Sequence, residues 1–202
     1  MIKNLLFDFG GVFLNLDKQA TQSELNRYFP KGLPVVIQQL HHQYEKGEIS
    51  SEKFINTHLD YTKDLKQQDF IHIWNSILGR LPEHRLKFLE ELKASGKFRL
   101  FLLSNTNELH INWVKGNNEN FNRFQSCFEQ FYLSHEIGYR KPSTEIFEFV
   151  ISQNHIKPGE TLFIDDTIDH IQTAKKLGFQ VWHLKEKEQD VTDLFEVKRS
   201  IL

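Results

Sequence analysis

The sequence predicts an α/β fold: a Rossmann-like parallel sheet of five strands flanked by helices, with a small all-helical unit inserted after the first strand. Three observations predict it. Five short apolar runs alternate with helical patterns along most of the chain. The first and fourth runs each stop at a carboxylate, Asp8 and the adjacent pair Asp165-Asp166. Residues 17–81 carry helical periodicity and no convincing strand.

The elements follow in order. Leu5–Phe7 ends at Asp8 and runs into Phe9-Gly10-Gly11-Val12, where glycines let the backbone turn sharply and approach a ligand. Within 17–81, Pro30-Lys-Gly-Leu-Pro34 is a break, and Glu45-Lys-Gly-Glu-Ile-Ser50 reads as a helix stop followed by a new N-cap. Phe70, Ile73, Trp74, Ile77 and Leu78 keep the spacing of one buried helix face. Inserted there, such a unit covers the carboxyl edge of the sheet as a lid. The expected division is therefore a core of 1–16 and 82–202 with a cap of 17–81. His84–Ser95 carries Leu86, Leu89 and Leu92 and stops at Gly96. Arg99–Leu103 is the second strand and leads into Ser104-Asn105-Thr106. Glu129–Leu133 is the third, with Arg140-Lys141-Pro142 in the loop beyond it. Pro142-Ser143 opens a helix over Thr144–Asn154, Thr161–Ile164 is the fourth strand, Ile168–Leu177 is a helix ending at Gly178, and Gln180–Leu184 is the fifth strand. Strand and helix alternating in this way argue for βαβ units.

Composition excludes several classes. A formal net charge of −2 with scattered Lys and Arg gives no footprint for nucleic acid or an anionic membrane. Lys185-Glu-Lys-Glu-Gln-Asp190 alternates in sign, as solvated segments do. No apolar run approaches the ~20 residues needed to span a bilayer. The single Cys127, among Phe124, Phe128 and Phe131, reads as a small buried hydrophobe and suits a reducing compartment. A cytoplasmic location is expected, with a small molecule as partner.

Ligands of open parallel sheets sit outside the carboxyl ends of the strands. Strands ending in Asp8 and in Asp165-Asp166 aim three carboxylates at one place, where they repel unless a hard cation such as Mg²⁺ sits among them. Ser104 and the N–H groups after it offer a phosphate cradle, and Lys141 a fixed cation. Together they suit phosphoryl transfer to an aspartate.

The order Asp8, Ser104, Lys141, Asp165-Asp166 resembles the four motifs of the haloacid-dehalogenase (HAD) superfamily, and the insertion resembles its cap of the first type. Asp8-Phe-Gly-Gly-Val12, Glu45-Lys-Gly-Glu-Ile-Ser50, Ser104-Asn-Thr-Asn107 with Leu109-His110, and Tyr132-Leu-Ser134 with Gly138-Tyr-Arg-Lys-Pro142 are similar to bacterial α-D-glucose-1-phosphate phosphatases and to epoxide-hydrolase-like phosphatase domains. The resemblance implies a Mg²⁺-dependent phosphatase acting on small phosphorylated metabolites such as glucose 1-phosphate. It makes Asp8 the nucleophile and a metal ligand, joined by the carbonyl of Gly10 and by Asp166, with Asp165 as a further or supporting acid. Ser104, Asn105 and the backbone at Gly11 would hold the phosphoryl group, and Lys141 would neutralise it. One position departs: relatives usually carry an acid two residues after the nucleophile, and here stands Gly10. A positioned acid is worth roughly 10²–10⁴-fold in rate. Asp17 is a candidate substitute, though it equally suits a helix cap. Two other readings remain: a non-catalytic sugar-phosphate-binding regulatory protein, and a 2-haloacid dehalogenase. His110 is expected to pack, at least one of His41-His42 is expected to be solvated although the pair could contact a sugar hydroxyl, and His170 could support the metal loop.

Overall fold

The computed structural model describes residues 1–62 and 64–202. Five strands, β1 (Asn4–Phe7), β2 (Arg99–Ser104), β3 (Gln130–Leu133), β4 (Thr161–Asp165) and β5 (Gln180–His183), form one sheet in the order β3-β2-β1-β4-β5. Every pairing is parallel, with Phe7 opposite Leu102 on one side and Ile164 on the other. The central strands are apolar in their middles, Leu5–Phe7, Leu100–Leu103 and Leu162–Ile164, because both faces are covered. Side chains alternate between two cores. Leu5, Phe7, Leu102 and Ile164 pack on one face with Leu86, Leu89, Ile111 and Phe124, while Leu6, Phe101, Leu103 and Phe163 pack on the other with Phe147, Val150 and Ile171. Strand order reverses between β1 and β4, and the crevice beyond such a switch point is where ligands of these sheets bind. Among the described residues no helix is long and apolar enough to cross a membrane.

Among the described residues five helices separate β1 from β2, and the first four form a unit of their own: α1 (Lys18–Tyr28), α2 (Val35–Glu45), α3 (Ser51–Asp60) and α4 (Gln67–Asn75). Ser50 caps α3 through its hydroxyl, and Asp17 caps α1 by accepting from the N–H of Ala20 at 2.9 Å. The four bury their own cluster, with Ile37, Phe54 and Phe70 fully inside. Two linkers join this unit to the sheet side by side, through Asp17 N–H to Ile77 O, Gly79 N–H to Asn15 O and Asn15 N–H to Arg80 O, at 2.8 to 2.9 Å.

Ile77 and Leu78 do not continue α4, contrary to their helical spacing. The Ser76 hydroxyl donates to Ile73 O at 2.7 Å, the helix stops at Asn75, and both residues lie in the returning linker. The rest of the chain supplies α5 (Glu83–Ser95), α6 (Glu108–Asn117), α7 (Phe121–Ser126), α8 (Ser134–Ile137), α9 (Thr144–Asn154), α10 (Ile168–Lys176) and α11 (Leu194–Val197).

Candidate active site

Lys141 is the centre of the site. Its ammonium is fully buried and spends its three donors on Asp165 Oδ2 at 2.7 Å, Leu103 O at 2.7 Å and Asp8 Oδ1 at 3.0 Å. Burial alone would lower the lysine's pKa, but Asp165 and Asp8 together hold it above its ordinary value. Asp8 Oδ1 also accepts the N–H of Phe9 at 2.7 Å, and Oδ2 has no partner among the described residues. Burial pushes the Asp8 carboxyl up to about 7 in the metal-free protein, with Lys141 opposing and Asp165 and Asp166 adding to the rise. Asp165 behaves oppositely. Burial raises it, yet Lys141 and His170 hold it below the usual carboxylate range.

The phosphate loop is fixed from several sides. Ser104, at the end of β2, is almost fully buried. The Asn105 side chain clamps residue 141, donating to Lys141 O and accepting from Lys141 N, each at 2.8 Å. Ser134 Oγ accepts from Thr106 N at 2.9 Å and donates to Thr106 O at 3.0 Å, and Asn107 caps α6. The sequence assigns the backbone N–H of Asn105 to phosphate, and the structure adds that its side chain holds the backbone of Lys141.

The adjacent acids separate, because successive side chains on a strand point to opposite faces. Asp165 accepts from Thr167 N at 2.7 Å and faces His170 Nδ1 at 2.9 Å, so with Lys141 both its oxygens are engaged. It holds the lysine, and His170 faces it. Asp8, Asp165 and His170 do bring ligand atoms within 4.8 Å of one another. Lys141 stands against two members of that triangle, Asp8 and Asp165.

Asp166 follows directly on β4. Its Oδ2 accepts from Lys18 Nζ of α1 at 2.7 Å, and Lys18 also reaches Glu186 Oε2 at 4.0 Å. Burial lowers the Lys18 pKa, but Asp166 and Glu186 more than offset it. Glu186 Oε1 is buried with no hydrogen-bond partner. Gly11 sits against both acids at φ +71°, and a Cβ there would come within 2.7 Å of Asp166 Cγ. Asp166 and Glu186 share the single ammonium of Lys18 and leave Glu186 Oε1 unpaired, an acidic donor set short of positive charge. A hard divalent ion fits it.

Glu186 and Lys18 escaped the sequence reading. The stretch 185–190 is not wholly solvated: it follows β5 onto the carboxyl edge, Gln189 Oε1 accepts the Trp182 indole N–H at 3.2 Å, and Asp190 pairs with Arg85 at 2.8 Å. A small cavity of about 150 Å³ adjoins the phosphate loop, with Gly10, Ser104 and Asn105 on the sheet side and Leu16, Glu45 and Ile77 facing them. His110 lines it too, but its nitrogens are used by Trp74 O and Asn107, and burial lowers its pKa to about 4. His41 stacks inside the cap on His58 and is held neutral by burial, whereas His42 is exposed. Asp17 is spent on its helix cap and is exposed, away from this cavity.

The site thus joins an aspartate at the end of the central strand of a parallel α/β sheet, a buried lysine on it and an acid pair beside it. The chain belongs to the haloacid dehalogenase-like hydrolases, whose family model matches residues 2–178. It is similar to D-ribitol-5-phosphate phosphatase of Bacteroides thetaiotaomicron, 31% identical over 90% of this chain and 91% of that protein. A HAD family enzyme from the same organism, crystallised with magnesium and inorganic phosphate, superposes with a TM-score of 0.83 at 33% identity, covering 96% of this chain and all of the other. A HAD-like hydrolase from Porphyromonas gingivalis has a TM-score of 0.83 at 27% identity, with 99% of each chain covered.

Proposed function

We propose that the chain is a Mg²⁺-dependent phosphatase acting on phosphate monoesters of small sugars or polyols through an aspartyl-phosphate intermediate. The observation that carries the reading is Lys141, buried between Asp8 and Asp165 and clamped through its backbone to the phosphate loop. A cation so held neutralises the repulsion between an anionic nucleophile and a phosphate dianion at no reorganisation cost. The relatives lend support: one is named for ribitol 5-phosphate, and a neighbour was crystallised with magnesium and phosphate.

Asp8 Oδ2 attacks phosphorus, the P–O bond to the leaving alcohol breaks, and water later hydrolyses the aspartyl phosphate. Ser104 Oγ, whose only bond among the described residues is a long 3.5 Å contact to Asn105 O, is free to donate to a phosphoryl oxygen. Asp8, Asp166 and the Gly10 carbonyl would hold Mg²⁺, with Glu186 behind them. The metal supplies charge that draws phosphate to Asp8 and keeps that carboxylate ionised. Gly10 offers no acid to the departing oxygen, so solvent protonates it. Glucose 1-phosphate, whose anomeric oxygen leaves readily, remains a named candidate beside the acyclic polyol phosphates.

The test is phosphate release from ribitol 5-phosphate, glucose 1-phosphate, acetyl phosphate and nucleotides, with Mg²⁺ present and then chelated. Release confined to small sugar or polyol esters and abolished by chelation is expected. Turnover indifferent to chelation, or none with any ester, overturns the reading.

A further inference from the structure

We infer that Glu45, oriented by Arg140, is the residue that reads a hydroxyl on the leaving group; the inference rests on the sugar- or polyol-phosphate reading above. Glu45 is the last residue of α2 and the sole carboxylate among the described residues lining the cavity beside Gly10 and Ser104. Its Oε2 accepts from Arg140 Nε at 2.8 Å, with both side chains mostly buried. Its Oε1 has no partner among the described residues.

The carboxylate is tied to the phosphate site by a short covalent and hydrogen-bonded path. Arg140 precedes Lys141, whose N–H and C=O are both gripped by Asn105 of the phosphate loop at 2.8 Å. The distance from phosphate cradle to Glu45 is therefore set by the loop that binds phosphate, not left to the cap alone. Such a path is a means of measuring a substrate from its phosphate outward.

The rest of the cavity narrows what can sit there. Leu14, Leu16, Leu78 and Val114 offer no hydrogen bond, and both nitrogens of His110 are already used. An ionised carboxylate only accepts, so the ligand must present a donor. It repels a second phosphate or a carboxylate and favours a hydroxyl. A cavity of about 150 Å³ is of the size that elsewhere holds benzene. It suits a leaving group of three to about six carbons rather than a nucleoside. A site that hydrogen-bonds a substrate hydroxyl discriminates strongly against the analogue lacking it, because its own buried group is then unpaired.

The Mg²⁺-loaded protein is tested on a matched pair, ribitol 5-phosphate and n-pentyl phosphate, which share a carbon count and differ in hydroxyls. The wild type is expected to prefer the ribitol ester in kcat/KM by about tenfold or more. Glu45→Gln keeps the shape but removes the charge, and is expected to shrink that preference by about tenfold, mainly through KM. Arg140→Met frees the carboxylate without removing it and should shrink the preference by a smaller factor. If Glu45 merely holds the cap in position, both esters lose activity in parallel and the ratio stays at its wild-type value, which overturns the assignment. A wild-type ratio near one sinks the polyol reading itself, whereas an intact ratio in E45Q sinks only the role of Glu45.

Discussion

Replacing Lys141 with Met keeps the length of the side chain and deletes its charge. In the metal-free wild type the ammonium contacts two buried carboxylates and one carbonyl within 3.0 Å, with no solvent exposure. Removing one partner of a buried ion pair typically costs about 3–5 kcal/mol. The cost depends on pH, and the sign follows from Asp8. Its folded pKa of about 7 stands above the ordinary 3.8, so the folded state holds a proton that the unfolded state has lost between those values. Near pH 5 the folded wild type keeps Asp8 neutral, and the lysine balances Asp165 alone. Near pH 8 it balances both. Without Lys141 the Asp8 carboxyl titrates higher still, and the variant continues to lose stability where the wild type has levelled off. Urea unfolding in chelator should give a deficit of about 3–5 kcal/mol at pH 8 and a smaller one at pH 5. A deficit under about 1 kcal/mol at pH 8, or one that does not change with pH, refutes the assignment of Lys141 as the counter-charge of Asp8.

Three further outcomes are expected. Asp8→Asn should leave less than about a tenth of the turnover, because the amide is a far poorer nucleophile. It should also remove a fall in metal-free stability between about pH 4 and 7, worth about 4 kcal/mol in the wild type if Asp8 titrates near 7; a persistent fall implicates another group. Asp166→Asn should weaken Mg²⁺ binding by about tenfold or more in calorimetric titration, and wild-type affinity in that variant would show that the metal lies elsewhere. Across a series of aryl phosphates, kcat/KM should rise steeply with leaving-group acidity, and Gly10→Asp should flatten the slope more when combined with Leu16→Ala. A flat slope in the parent, with chemistry rate-limiting, would mean that some residue already donates the proton.

The sheet was legible because its signal is local. Apolar runs such as Leu100–Leu103 and Leu162–Ile164 have nowhere to go but a doubly covered strand, and Asp8 and Ser104 stand at the ends of two such strands. Other parts depend on contacts between distant segments. Lys18 reads as an ordinary charged residue in a first helical turn, and only the fold brings it 148 positions along the chain to Asp166. Glu186 hides in a run of alternating charge whose neighbours are exposed. Ile77 and Leu78 kept helical spacing to the end, yet the Ser76 side chain competes for the last carbonyl and frees them for the linker. The roles of Asp165 and Asp166 could have been separated from sequence by strand alternation alone, since the residue inside β4 and the one beyond it face opposite ways.

The missing acid belongs to the same architecture. Gly10 has no positive φ, so its backbone admits a side chain, unlike that of Gly11. What fills the space is Leu16: a Cβ on Gly10 would meet its Cδ1 at 2.9 Å. Leu16 lies on the linker into the cap and pairs with Leu78 on the linker out. The slot that an acid would occupy is thus held by an apolar side chain from the hinge between the two units. A proton donor there would be surrounded by methyl groups and would resist ionising between turnovers. On the function proposed above, such a site leaves protonation of the leaving group to solvent, and Leu16 closes the wall of the cavity in which Glu45 is the one charged group among the described residues.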